Sequence, residues 1–168
     1  MAVAGVDMGA LATKVVILEG NKILAASTLM TGDTGEHEAR MAMDEALKQA
    51  GLKMEDLKMV VSTGTGRKSI PFAQRQRTAM SCHAKGAYFL FPGARTVIDV
   101  GAESSTVIRL SADGKVKDSV GNDKCAAGTG VFLDAMSRML RVPLIEMGAE
   151  SLKHTAKCSI SSMCVIFA

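Results

Sequence analysis

Two short segments of this chain carry the same potential chemistry. The first runs Gly5-Val6-Asp7-Met8-Gly9-Ala10 and continues through Thr13-Lys14 to Leu18. The second runs Val97-Ile98-Asp99-Val100-Gly101-Ala102 and continues through Ser105-Thr106 to Leu110. Asp7 matches Asp99, Gly9 matches Gly101, Ala10 matches Ala102 and Thr13 matches Ser105, all at an offset of 99 − 7 = 92. An Asp-x-Gly turn between apolar strands suits phosphate and its metal. Glycine lets the main chain approach closely, and aspartate supplies a hard oxygen for a Mg²⁺ shell. The amides at Gly9–Ala12 and the Thr13 hydroxyl are candidates to hold phosphate oxygens, with Lys14 neutralising charge. A single motif of this kind is equally a plain hairpin with a solvent-facing lysine. Its recurrence with Asp and Gly in register is not explained that way. Two such turns facing each other would hold a nucleoside triphosphate from both sides.

A second kind of chemistry sits beyond the second copy. Cys125 lies in Asn122-Asp123-Lys124-Cys125-Ala126-Ala127-Gly128-Thr129-Gly130, a Gly-rich loop directly before an amphipathic helix. The amides and positive dipole end at a helix N-terminus stabilise a thiolate, or the anionic iron–sulfur cluster that thiolates bind. The ordinary fate of a lone cysteine is burial as a small hydrophobe. Cys164, in Ser161-Ser162-Met163-Cys164, is the other candidate. No C-x₂-C pair or zinc-type Cys/His spacing occurs. Cys158 and Cys164 are 164 − 158 = 6 positions apart. On a helix that separates them by about 240°, too far round to chelate one metal together. If Cys125 and Cys164 alone are ligands, a chain supplies half the thiolates of a [4Fe–4S] cluster and a twofold dimer supplies the rest. Gly64-Thr65-Gly66-Arg67 reads either as a ligand-approaching loop or as ordinary turn glycines. Cys82 reads as packing on an apolar helix, and His37 and His154 give no case for a role.

The elements that must position these residues follow from hydrophobic periodicity. Strands are expected near 3–8, 14–19 and 22–29, the last two joined by Gly20-Asn21. A helix over about 34–50 carries Ala39, Ala42, Met43, Ala46, Leu47 and Ala50 at helical spacing and stops at Gly51. A strand over 58–63 and a helix near 79–91 complete the first lobe, taken as 1–94. The second lobe, from 95 to 168, repeats the opening. Its strands are expected near 95–100, 105–110 and 115–120, with Asp113-Gly114 turning the hairpin. A helix bearing Val131, Phe132, Leu133, Met136, Met139 and Leu140 comes next. Three antiparallel strands, a helix and a further strand form the ribonuclease-H-like pattern. Its tandem duplication is an α/β architecture, the actin-like fold, shared by actin, sugar kinases and the 70-kDa heat-shock chaperones. The chain stops at Cys164-Val165-Ile166-Phe167-Ala168, inside an apolar run, so the second lobe reads as incomplete and the chain as a fragment.

Composition narrows the classes. Lys plus Arg is 20 and Asp plus Glu is 17, a net +3, and tryptophan is absent. A mild, scattered charge with few aromatics argues against nucleic acid. No apolar run reaches the length of a membrane span, and no secretory signal opens the chain. Cysteines in such a chain are thiols or metal ligands rather than disulfides, and the expected compartment is the cytoplasm.

Taken together the motifs resemble the BadF/BadG/BcrA/BcrD ATPase family, the activators of 2-hydroxyacyl-CoA dehydratases and the ATPase subunits of class I benzoyl-CoA reductases. The resemblance rests on the Asp7 and Asp99 turns, Thr63-Gly64-x-Gly66-Arg67, Ser81-Cys82-His83-Ala84, the Cys125 block and Ile160-Ser161-Ser162-Met163-Cys164. It implies ATP with Mg²⁺ between the lobes, with Asp7 and Asp99 catalytic. Gly9, Ala10, Thr13, Lys14, Gly101, Ala102, Gly128 and Thr129 would lie at the nucleotide. It also implies a [4Fe–4S] cluster bridging a homodimer or paralogous heterodimer through Cys125 and Cys164. ATP hydrolysis would drive a low-potential electron from ferredoxin or flavodoxin into a dehydratase or reductase partner. The second turn departs from the activator pattern, Asp-x-Gly-Gly-Gln-Asp-x-Lys. Here it reads Asp99-Val100-Gly101-Ala102-Glu103-Ser104-Ser105-Thr106, which tilts the resemblance towards the less regular reductase ATPase subunit. A non-catalytic nucleotide-binding subunit that pairs with an active paralogue is the alternative. A sugar- or acetate-type kinase would leave the Cys125 block unexplained.

Overall fold

The computed structural model describes residues 1–32, 35–121, 129–157 and 159. The chain divides into two compact units, Met1–Gly86 and a second that starts at Ala87.

In the first unit the expected opening strands are β1 (Ala2–Met8), β2 (Ala12–Glu19) and β3 (Lys22–Met30). They form an antiparallel meander, and β4 (Leu57–Thr63) pairs parallel to β1 on its other side. A two-residue strand, β5 (Arg75–Gln76), extends the sheet to the order β3-β2-β1-β4-β5. Sequence patterning does not reveal β5, because two polar residues carry no alternation to detect. Helix α1 (Glu36–Ala50) covers one face and ends at Gly51, whose φ of 66° lets its N–H reach the Leu47 and Lys48 carbonyls.

Period-two burial decides which way each strand faces. Ala2, Ala4, Val6 and Met8 of β1 are buried, as are Val15 and Ile17 of β2. Ala39, Ala42, Met43 and Ala46 of α1 are fully buried in the same cluster. This alanine stripe lets the helix lie close to the sheet, and the Ser27 hydroxyl of β3 donates to the Ala42 carbonyl. Alternate residues of β1, Asp7 among them, therefore face away from α1.

The second unit holds β6 (Thr96–Val100), β7 (Ser105–Leu110) and β8 (Val116–Gly121) in the order β6-β7-β8, all antiparallel. Its hairpin departs from the copy in the first unit. The β2–β3 turn is Gly20-Asn21 alone, between the paired Glu19 and Lys22. The last β7–β8 pair is Leu110 with Val116, so Asp113-Gly114 sits inside a longer loop that starts at Ser111 and ends at Lys115. Helix α2 (Ala79–Leu90) has only Ala84 buried, so the apolar packing expected around Cys82 is partial. Helices α3 (Gly130–Leu140) and α4 (Leu144–Ser151) follow. The short α4, which opens after Pro143 and contains Gly148, was not anticipated.

Candidate functional site

The first turn grows directly from the β1–β2 register. Asp7 stands opposite Lys14 across the two strands, on the face away from α1. Lys14 Nζ lies 3.5 Å from Asp7 Oδ2, with both side chains partly exposed. An ion pair this open adds little stability. Its importance is that a cation and a carboxylate stand together beside the turn. The Gly9 N–H closes the turn on the Ala12 carbonyl at 3.1 Å. A Cβ at Gly9 would lie 3.0 Å from that carbonyl oxygen and 3.6 Å from Lys14 Nζ. The Gly9 amide is thus committed within the turn, not free for phosphate as the sequence suggested. Ala10 and Leu11 form the exposed tip.

Thr13 also differs from its expected part. Its side chain is fully buried, and its hydroxyl lies 2.9 Å from that of Thr31. The Thr31 hydroxyl donates to the Gly9 carbonyl at 3.0 Å, so the proton between the two threonines comes from Thr13. This relay ties the turn to the end of β3. Thr13 holds the turn in place rather than offering its hydroxyl at the surface.

Parallel strands β1 and β4 end side by side, and a pocket of about 210 Å³ opens there. Gly9 and Ala10 of the turn, Thr31, Gly32 and Gly35 after β3, and Thr65, Gly66 and Ser69 after β4 line it, with Met8 at its base. Carboxyl ends of strands are where open α/β sheets bind ligands. Sequence reasoning missed Thr31, Gly32, Gly35 and Ser69, because only the sheet order brings them to one edge.

The Gly64-Thr65-Gly66-Arg67 segment buttresses this turn. Gly64 has φ +89°, and a Cβ there would collide with the Met8 carbonyl and press on Asp7 Oδ1. The Gly66 N–H donates to the Met8 carbonyl at 3.0 Å, and Arg67 Nη1 returns to the Gly64 carbonyl at 3.0 Å. Close approach to β1, rather than turn geometry alone, is what demands these glycines.

The second turn repeats the first. Asp99 stands opposite Thr106 and Val100 opposite Ser105, each pair displaced by 92 from Asp7–Lys14 and Met8–Thr13. The Gly101 N–H closes on the Ser104 carbonyl at 2.7 Å. Uncharged Thr106 stands where the first copy has Lys14. The Gly101 and Ala102 carbonyls accept from the Gly130 and Val131 N–H groups at 2.9 and 3.0 Å. Thr129, the residue before α3, is fully buried, and its hydroxyl finds no hydrogen-bond partner among the described residues.

Cys125, Gly128 and Cys164 lie outside the described residues. Among the described residues no group of three or more His, Cys, Asp or Glu side chains could hold a metal ion. Asp7 and its copy Asp99 nevertheless fit the habit of Mg²⁺, which takes one or two carboxylates and completes its shell from phosphates and water. No helix among the described residues is long and apolar enough to cross a membrane.

Comparison with known proteins agrees with this geometry. Residues 4–168 match the BadF/BadG/BcrA/BcrD ATPase family. The activator of lactoyl-CoA dehydratase from Anaerotignum propionicum is 43% identical over 98% of this chain and 63% of its own. A benzoyl-CoA reductase subunit from Thauera aromatica is 35% identical over 98% of this chain and 60% of its own. Identity to the activator thus exceeds identity to this reductase component, against the tilt drawn from the second turn. The crystal structure of component A of the Acidaminococcus fermentans (R)-2-hydroxyglutaryl-CoA dehydratase superposes with a TM-score of 0.86 at 38% identity, covering 99% of this chain and 64% of that one. The 2-hydroxyisocaproyl-CoA dehydratase activator from Clostridium difficile with bound ADPNP gives a TM-score of 0.83 at 40% identity, covering 99% and 62%. The chain spans a little under two thirds of the length of these relatives, and its mixed α/β architecture is the actin-like ATPase fold.

Proposed function

From a chain that belongs to the BadF/BadG/BcrA/BcrD ATPase family, we propose an ATP-hydrolysing electron-transfer component that serves a 2-hydroxyacyl-CoA dehydratase or benzoyl-CoA reductase. The observation that carries this reading is the pair of Asp-x-Gly turns, built in one register in both units. Asp7 or Asp99 would reach Mg²⁺ directly or through water. The exposed Ala10–Leu11 tip meets phosphate, with Lys14 beside it to balance charge. Gly9 and Gly101 shape their turns, Thr13 fixes the first from behind, and Ala102 and Thr129 flank the second; Gly128 would join them at the nucleotide.

Cys125 and Cys164 supply two thiolates, the donor set of half a [4Fe–4S] cluster, and a second subunit supplies the other two. Such a cluster would supply one-electron transfer at low potential, with ferredoxin or flavodoxin as the donor. ATP assists only to the extent that it binds the two states of the protein unequally.

The replacement of Lys14 by Thr106 in the second copy favours one further reading, a subunit that binds nucleotide but hydrolyses it only beside a more regular paralogue. Anaerobic purification separates the two. Brown protein with about four irons per dimer, bleached by Cys125→Ser or Cys164→Ser and hydrolysing ATP alone, supports the first. Iron-bearing protein that turns over ATP only when mixed with a paralogue supports the second. Colourless protein that phosphorylates a small molecule sinks both.

A further inference from the structure

The charges of this chain are unevenly placed. Between Leu57 and Ile98 stand seven lysines and arginines and not one Asp or Glu. The rest of the chain holds 20 − 7 = 13 basic against 17 acidic residues, so the whole positive excess comes from this one stretch. In the first unit the stretch includes the open side of the sheet. Strand β5 is last in the order β3-β2-β1-β4-β5, and residues 74–78 are all exposed.

Main-chain bonds hold this edge in place. Arg75 and Gln76 pair with Val61 and Ser62 of β4. The Gln74 and Arg77 N–H groups donate to the Val60 and Ser62 carbonyls at 3.0 and 2.9 Å. The buried Ser62 hydroxyl donates to the Arg67 carbonyl at 2.8 Å, with the Arg75 carbonyl 3.5 Å away. One hydroxyl thus ties the basic turn Arg67–Ser69 to β5. Lys68, Arg75 and Arg77 are exposed, and none forms an ion pair among the described residues. Like charges fixed together without a counter-charge repel one another, and an anionic partner relieves that repulsion. Arg75 and Arg77 are two positions apart on extended backbone, so they share one face about 6.6 Å apart. No strand lies against the outer edge of β5 among the described residues, which leaves main-chain groups open to pairing.

We propose that β5 docks an extended acidic segment of a partner protein by strand addition. The incoming strand has the same two-residue period, so carboxylates at its alternate positions fall in step with Arg75 and Arg77. Lys68 on the adjoining turn adds a third positive charge. Charge on an edge repels basic strands and disfavours apolar ones, and here it admits an acidic one. No large hydrophobic side chain is exposed between Met41 and Met80, so the edge lacks the apolar anchor of a membrane surface. Phe72 lies under the Arg40 guanidinium, 5.5 Å from ring centre to carbon, rather than open to a nucleic-acid base. None of the three basic residues belongs to the Asp-x-Gly turns or lines the pocket beside them, so this surface stands apart from the nucleotide chemistry.

The test is fluorescence anisotropy of a labelled peptide that alternates glutamate with threonine, titrated with the full chain. Wild-type binding should weaken as salt rises. Reversing the edge with Lys68→Glu, Arg75→Glu and Arg77→Glu together should weaken it about tenfold or more, the product of three exposed charge contacts each worth a few-fold. Lys22→Glu, Lys48→Glu and Lys53→Glu together make the same change in net charge at other exposed sites and should stay within about twofold. Should the reversed edge fail to fold by circular dichroism, Arg75→Gln with Arg77→Gln carries the same expectation at about fivefold. N-methylating the peptide's alternate amides keeps its charge but blocks pairing, and should cost about fivefold for each hydrogen bond lost. Three results overturn the proposal: equal losses in the two triple variants, undiminished binding of the N-methylated peptide, or tighter binding of duplex DNA or phosphatidylglycerol vesicles than of the peptide at the same salt. ATP hydrolysis is measured on the same samples. Edge variants that lose the peptide but hydrolyse ATP as the wild type does support the docking edge whether or not the protein carries iron.

Discussion

At the residue scale, the Thr13–Thr31–Gly9 relay makes an ordered prediction. Thr13→Val deletes one donor yet leaves Thr31 bonded to Gly9, and should cost about 1 kcal/mol. Thr31→Val breaks both links and strands the buried Thr13 hydroxyl, and should cost roughly 2–3 kcal/mol. Chemical denaturation should rank Thr31→Val as the worse, with the double variant below the sum because the two share a partner. The reverse order would show that the relay does not hold the turn. Gly64 offers a sharper case. Its φ of +89° and the contact with Asp7 make Gly64→Ala strained and displace the carboxylate. A loss of roughly 1–3 kcal/mol should accompany weaker Mg²⁺-dependent nucleotide binding. Weakened stability with unchanged binding would confine Gly64 to a structural part.

At the element scale, α1 is held by its buried stripe rather than its ends. Met43 is fully buried among Ala39, Ala42 and Ala46. Met43→Ala should therefore cost about 2–5 kcal/mol in an unfolding titration, because the close-packed alanines cannot collapse into the space. The Ser111–Lys115 loop is exposed and responds to pH instead. The Lys115 ammonium 2.7 Å from Asp113, with help from the Ser111 hydroxyl, holds the Asp113 carboxyl down to about 2 from an ordinary 3.8. A depressed carboxylate contributes stability above its unfolded value, and that contribution fades as pH falls from about 4 to 2. Lys115→Met should return Asp113 towards 3.8 in an NMR titration. An unmoved midpoint would show that Ser111 alone sets it.

At the scale of the whole molecule, the two units differ in depth of core. The first buries Val6, Val15, Ile17, Met43 and Val60 almost completely. Among the described residues the second buries Ile108, Leu110 and Phe132, while Ile98 and Val120 are 71% and 70% exposed. Hydrogen exchange should therefore be slowest in β1, β2 and β4 and should report an earlier opening of β6–β8. Equal protection in both sheets would contradict that ranking.

Much of this is legible in the sequence alone. Alternating Val, Ile and Leu dictated the strands of both units, the alanine spacing dictated α1, and the offset of 92 exposed the duplication, because each signal is local and repeats at the period of its element. The same local logic misjudged what the turn residues do. Thr13 looked like a phosphate ligand, but the pleat turned it into the core, where only the arrival of β3 provided Thr31 as its partner. Gly64 reads in the sequence either as a ligand-approaching or as an ordinary turn glycine, and only the parallel pairing of β4 with β1 brings it against Asp7. The carbonyls of Gly101 and Ala102 carry no sequence signal, yet α3 docks on them. Types, spacing and strand direction follow from neighbours along the chain. Which polar group ends up buried, bonded or facing a ligand depends on partners distant in sequence, and only packing brings those together.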